Sequence, residues 1–130
     1  MKFMLIMQGT LKGCEMLMTW KPAEVKEHMK FMIGFAKELE AADELVLAEG
    51  LEFPPAPKIV QSGVNGGAPV VTDGPFPESK EFLAGFWIVD VETPERAVEI
   101  AAHASSAPGP GGRPLRIPIE LRQVMKPPEM

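Results

Sequence analysis

The sequence predicts an α+β domain in which helices cover one face of a mainly antiparallel sheet. Short apolar runs of strand type recur along the chain, two segments instead carry apolar residues at helical spacing, and Pro/Gly-rich stretches separate them. Their order is strand, helix, strand, strand, helix, strand, with a hairpin inserted after the second strand.

Phe3-Met4-Leu5-Ile6-Met7 is the first strand. It is cut short by Gln8-Gly9, lacks a small-residue cleavage site, and falls well short of the roughly 20 apolar residues of a membrane span, so a buried strand is expected rather than a leader or an anchor. From Pro22 to about Ala42 the chain reads as a helix. Proline suits the first turn, Glu24 and Glu27 sit at the positive end of the helix dipole, and His28, Met32, Phe35 and Leu39 share one face, widened by Met29, Ile33 and Ala36. Gly13-Cys14-Glu15, between strand and helix, reads as a loop.

Glu44 to Leu51 forms the second strand through Leu45-Val46-Leu47, and Pro54-Pro55-Ala56-Pro57 stops it. Lys58–Ser62 and Ala68–Thr72 flank Val64-Asn65-Gly66-Gly67, residues that tolerate a tight reversal, so a hairpin is expected. Phe86 to Val91 is a strand whose bulky residues imply burial on both faces. Thr93-Pro94-Glu95 is a compact helix start, with Ala97, Ile100, Ala101 and Ala104 as the inward stripe up to about Ser105. Ala107-Pro108-Gly109-Pro110-Gly111-Gly112 must be a loop. In the last strand Leu115, Ile117, Ile119 and Leu121 alternate with Arg116, Pro118, Glu120 and Arg122. Pro118 lacks a ladder N–H, which argues for an edge position. Two helices over one face of such a sheet is the ferredoxin-like βαββαβ arrangement, here with an inserted β-hairpin. The other face stays bare, and a second copy of the chain is its simplest cover, so a homodimer is expected.

A chain of 130 residues matches one domain, 1–130, and can hide about two-thirds of its unfolded surface. The net charge of −5, without a basic cluster, leaves no footprint for nucleic acid. Cys14 is the only cysteine, which rules out an intrachain disulfide or a thiolate metal cluster and fits a cytoplasmic setting. Neither a phosphate-cradling glycine motif nor a nucleophile elbow occurs, and histidines at 28 and 103 make no metal spacing. No cofactor, metal or membrane partner is therefore expected; a small-molecule ligand is.

The richest segment is Val71-Thr72-Asp73-Gly74-Pro75-Phe76-Pro77-Glu78-Ser79-Lys80-Glu81-Phe82-Leu83-Ala84-Gly85-Phe86, which joins two apolar strands through a rigid acidic turn. With the opening Met1–Ile6, the His28 helix, Glu49-Gly50-Leu51 and Ile119-Glu120-Leu121-Arg122, it resembles the DGPF, or YCII-related, family along nearly the whole chain. Arg122-Gln123-Val124 stands where many relatives read Arg-Pro-Val, and the Pro/Gly tract looks longer than usual. The resemblance implies a dimeric α+β barrel of two ferredoxin-like protomers and a cleft with a histidine–aspartate pair. Some relatives eliminate chloride from chlorinated ring-derived substrates; others are associated with sigma factors of the extracytoplasmic-function type.

Residue types narrow the site. Asp73, just before Gly74-Pro75, either caps the turn or faces a cleft. His28 lies on an apolar stripe and needs a polar partner: water, a backbone carbonyl or, as the resemblance suggests, Asp73, which would orient the imidazole for proton transfer. His28 and Asp73 are thus the candidate catalytic residues. Glu81, which abuts Phe82-Leu83, Phe86 and Trp87 are the candidate substrate contacts, although the place of Trp87 inside a strand favours the core. His103 falls near Arg96 and Glu99 by helical angle and reads as solvated. Two functions fit: a cofactor-independent isomerase or lyase acting on a small cyclic or carbonyl-bearing substrate, or a non-catalytic binding or regulatory module docking through its turn and the charged face of Arg116, Glu120 and Arg122.

Overall fold

The computed structural model describes residues 1–53, 58–73 and 81–129. The Pro54–Pro57 stop, Gly74-Pro75-Phe76 of the signature, and Glu78 and Lys80 lie outside the described residues.

A four-stranded antiparallel sheet is built from β1 (Lys2–Gly9), β2 (Leu45–Gly50), β5 (Phe82–Asp90) and β6 (Ile119–Gln123), in the spatial order β2-β5-β1-β6. With α2 (Pro22–Ala41) between β1 and β2, and α3 (Pro94–Ser105) between β5 and β6, this is the ferredoxin-like order. The inserted hairpin pairs β3 (Lys58–Gln61) with β4 (Val70–Asp73) as a separate two-stranded sheet. Asn65 and Gly66 turn it with φ of 51° and 75°.

The helix-facing side of the sheet makes the core. Phe3 and Leu5 of β1 and Trp87 and Val89 of β5 alternate inward and pack with Phe35 and Leu39 of α2 and Ala97, Ile100 and Ala104 of α3. Ile119 and Leu121 of β6 close that side. On β2 the register shifts between Leu45 and Leu47, so Leu45 and Ala48, three apart, both reach the core. The opposite face carries Met4 and Ile6 beside Phe86 and Ile88, with Leu47 across from Ile88. Glu49, Glu120 and Arg122 frame that apolar centre. Phe86 and Ile88 remain half-buried, so in the protomer the third strand of the βαββαβ frame is fully covered on one side only.

Several boundaries differ from expectation. Leu11–Leu17 is a helix, α1, not a loop: Thr10 Oγ1 accepts from the Gly13 N–H at 2.9 Å and starts it locally. β5 begins at Phe82, where pairing with Gly9 starts, rather than at Phe86. β6 begins only at Ile119, because Arg116 takes a positive φ of 55° and breaks the alternation that Leu115 and Ile117 suggested. It is nevertheless an edge strand, and Pro118 stands just before its ladder. On α2, Met29 and Ile33 turn out 51% and 53% exposed, while Phe31 packs inward in their place.

Candidate functional site

The first half of α2 and the loop after α3 meet around His28. Pro22 at the first helical position and Glu24, whose Oε1 accepts from the Lys21 N–H at 2.9 Å, start α2 immediately after Trp20. One and two turns on, the inner face becomes aromatic: His28, Phe31 and Phe35. The Trp20 ring meets His28 edge-on at 5.6 Å, Phe31 stacks on Phe35 at 6.1 Å, and Phe35 meets Trp87 edge-on at 5.6 Å.

The half-buried His28 has a polar partner, and it is the Pro108 carbonyl, 3.0 Å from Nδ1. A carbonyl oxygen can only accept, so Nδ1 must carry the hydrogen. In the neutral imidazole the lone pair then lies on Nε2, the nitrogen that can take up a proton from another molecule. The loop is held a second time one turn earlier, where Glu24 Oε2 accepts from the Gly111 N–H at 2.7 Å. Two backbone hydrogens on one carboxylate keep Glu24 below the ordinary carboxylate range, the Lys21 N–H being the larger influence and the Gly111 N–H the second.

Asp73 stands at the end of β4, directly across from Lys58 of β3, and the two side chains form an ion pair. Lys58 lowers the Asp73 pKa by hydrogen bonding first and by charge second. The carboxylate is exposed, and among the described residues no hydrogen bond joins it to His28. Trp87 is 7% exposed and belongs to the core. Phe86, its neighbour in the strand, points to the open face of the sheet, opposite Ile6 and Glu49. Glu81 is exposed and borders a shallow hollow of about 280 Å³ together with Gln8, Pro118, Ile119 and Glu120.

The expected site residues are therefore divided among α2, the hairpin, the core and the open side of the sheet. His103 is exposed as expected, but its ring leans edge-on against Phe31 and Phe35, each at 5.3 Å, rather than standing free beside Arg96. Arg96 instead makes a two-pronged bond to Glu44 at 2.8 Å on each prong. What sequence reading missed at His28 is Pro108, Gly111 and Trp20. The one legible hint was the i, i+4 spacing of Glu24 and His28 on a helix that must face some loop. Among the described residues no group of three or more His, Cys, Asp or Glu side chains is placed to hold a metal, and no helix is long and apolar enough to cross a membrane.

No curated protein matches the chain. A family model does: that of the YCII-related domain, over residues 1–109, which takes in β1 through α3, His28, Asp73 and the start of the loop whose Pro108 carbonyl holds the imidazole. A match over that much of a chain, on a sheet of ferredoxin-like order, places this protein in the YCII-related domain family.

Proposed function

We propose that this YCII-related protein is a cofactor-independent isomerase or lyase in which His28 moves a proton to or from a small cyclic or carbonyl-bearing substrate. The observation that carries the reading is the Nδ1–H bond to the Pro108 carbonyl at 3.0 Å, which assigns the basic lone pair to Nε2. Trp20, edge-on to the ring, supplies an apolar wall on which a flat substrate can lie. The carbonyl does the orienting that the family resemblance assigned to an aspartate. Asp73 has a part only in the two-residue form of the proposal, in which its carboxylate leaves Lys58. Glu81 and Phe86, at the edge and on the open face of the sheet, have no part in this step, and Trp87 would act through its packing on Phe35. The single Cys14 leads us to place the activity in the cytoplasm.

Hydrogen–deuterium exchange at carbon, followed by NMR over a panel of small cyclic ketones and enol lactones, tests the reading. His28→Ala should lower exchange by about 100-fold or more with the fold intact. Exchange that survives His28→Ala rejects the mechanism. Asp73→Asn discriminates the two forms: an equal loss supports the histidine–aspartate pair, and unchanged exchange leaves His28 with its carbonyl.

A second reading, a non-catalytic binding module, draws on the inserted hairpin. Val60, Val64, Val70 and Val71 are 50–83% exposed on it, more apolar surface than a solvated hairpin requires. Absence of exchange over the whole panel, with a protein partner retained through Val60→Lys-sensitive contacts, would favour that reading.

A further inference from the structure

Glu24 divides its carboxylate between two jobs. Oε1 closes the start of α2 on the Lys21 N–H, and Oε2 reaches the Gly111 N–H, which is 87 residues away in sequence. Glu24 and His28 are one turn apart on the same helix, so their two loop contacts lie side by side.

Between those contacts the loop is stiff. The Gly109 N–H donates to the Arg113 carbonyl at 2.8 Å, the Gly112 N–H to the Gly109 carbonyl at 3.0 Å, and the Leu115 N–H to the Ala107 carbonyl at 2.9 Å. Ala107 is fully buried, and a Cβ at Gly109 would come within 2.4 Å of the Leu115 side chain, so the segment is seated tightly on that residue. A loop bonded across itself moves as a unit. Its internal bonds couple Gly111 to Pro108, so a hold on the one bears on the position of the other.

We propose that Glu24 is a positioning residue for His28: by holding Gly111 it places the Pro108 carbonyl and so keeps the imidazole in its Nδ1–H tautomer. Its functional meaning rests on the reading of His28 as the proton-transfer group, but the linkage itself is observable without any substrate. The chemistry requires a carboxylate. It accepts from two backbone donors with two oxygens, whereas glutamine has one acceptor and would set its own N–H₂ against the other donor.

The test compares the whole chain with Glu24→Gln and Glu24→Ala by long-range ¹H–¹⁵N NMR at alkaline pH, where imidazole is neutral, together with Gly111 amide exchange and thermal unfolding. His28 in the parent chain should show the Nδ1–H pattern. Both variants should stay folded, exchange the Gly111 amide about tenfold faster or more, and populate the Nε2–H form of His28. Thr93→Ala, which removes a cap on α3 far along the chain, serves as the control for lost stability alone: it should lower the melting temperature and leave the tautomer unchanged. A tautomer that stays fixed when Glu24 is replaced, or that shifts equally in Thr93→Ala, overturns the proposal. If Glu24→Gln shifts the tautomer while His28→Ala keeps exchange activity, the linkage stands and the enzymatic reading falls.

Discussion

At the scale of residues, burial and partner separate roles that residue type leaves open. Trp87 could have lined a pocket, but it lies against Phe35 inside the core, so Trp87→Ala should cost about 3–5 kcal/mol in denaturant unfolding, whereas loss of a mere ligand contact would leave stability intact. Besides Asp73, two carboxyls that tie distant segments together contribute to the acid response. Glu24, held by backbone donors, and Glu44, held by Arg96, both titrate below the ordinary glutamate value of 4.5 in the folded chain. A depressed folded pKa means that their stabilisation is in place above the unfolded value and is withdrawn as pH falls through the folded one. Melting temperature should thus be insensitive to these groups above about pH 5 and drop below pH 4.5, less steeply in Glu24→Gln. A drop of the same steepness in that variant would remove Glu24 from the account.

At the scale of elements, helix ends and the clasp between them do most of the local specification. Thr93 Oγ1 accepts from the Arg96 N–H at 3.2 Å and Pro94 presets the first turn, so Thr93→Ala should destabilise by about 1 kcal/mol. Arg96, one turn into α3, reaches back to Glu44 just before β2, whose side chain is only 14% exposed. Water reaches the pair from the Arg96 side, so Arg96→Ala should cost about 1 kcal/mol by chemical denaturation. The hairpin is the opposite case. Two four-residue strands with exposed valines are marginal alone, so its amides should exchange fastest among the strands unless a partner covers them.

At the scale of the whole molecule, one face of the sheet is covered by helices and the other is not. Met4, Ile6, Leu47, Phe86 and Ile88 form an apolar centre ringed by Glu49, Glu120 and Arg122, the pattern of an interface core with a polar rim. We propose that a second copy covers it, as the family resemblance implies. Light scattering at micromolar concentration should give twice the 14.2 kDa of the protomer, and Phe86→Glu, which sets a charge in the middle of that face, should return the mass to one chain. A parent chain that scatters as a monomer would refute the assembly.

Periodicity and punctuation were enough to read the ferredoxin-like order: the apolar runs of β1 and β5, the alternation in β6, the Phe35/Leu39 stripe of α2, and the Thr93-Pro94 start of α3 are local signals, each written within a few residues. Their failures were local as well, at the short α1 and at Arg116, where a capping hydroxyl and a positive φ outweighed the pattern. The chemistry of His28 was decided elsewhere. Its type and its place on an apolar helix said that it needed a polar partner, but that partner is a main-chain carbonyl 80 residues away, delivered by a loop that Glu24 holds at Gly111. Every residue has such a carbonyl, so no side chain announces it, and only the packing of the loop against α2 selects the one at Pro108.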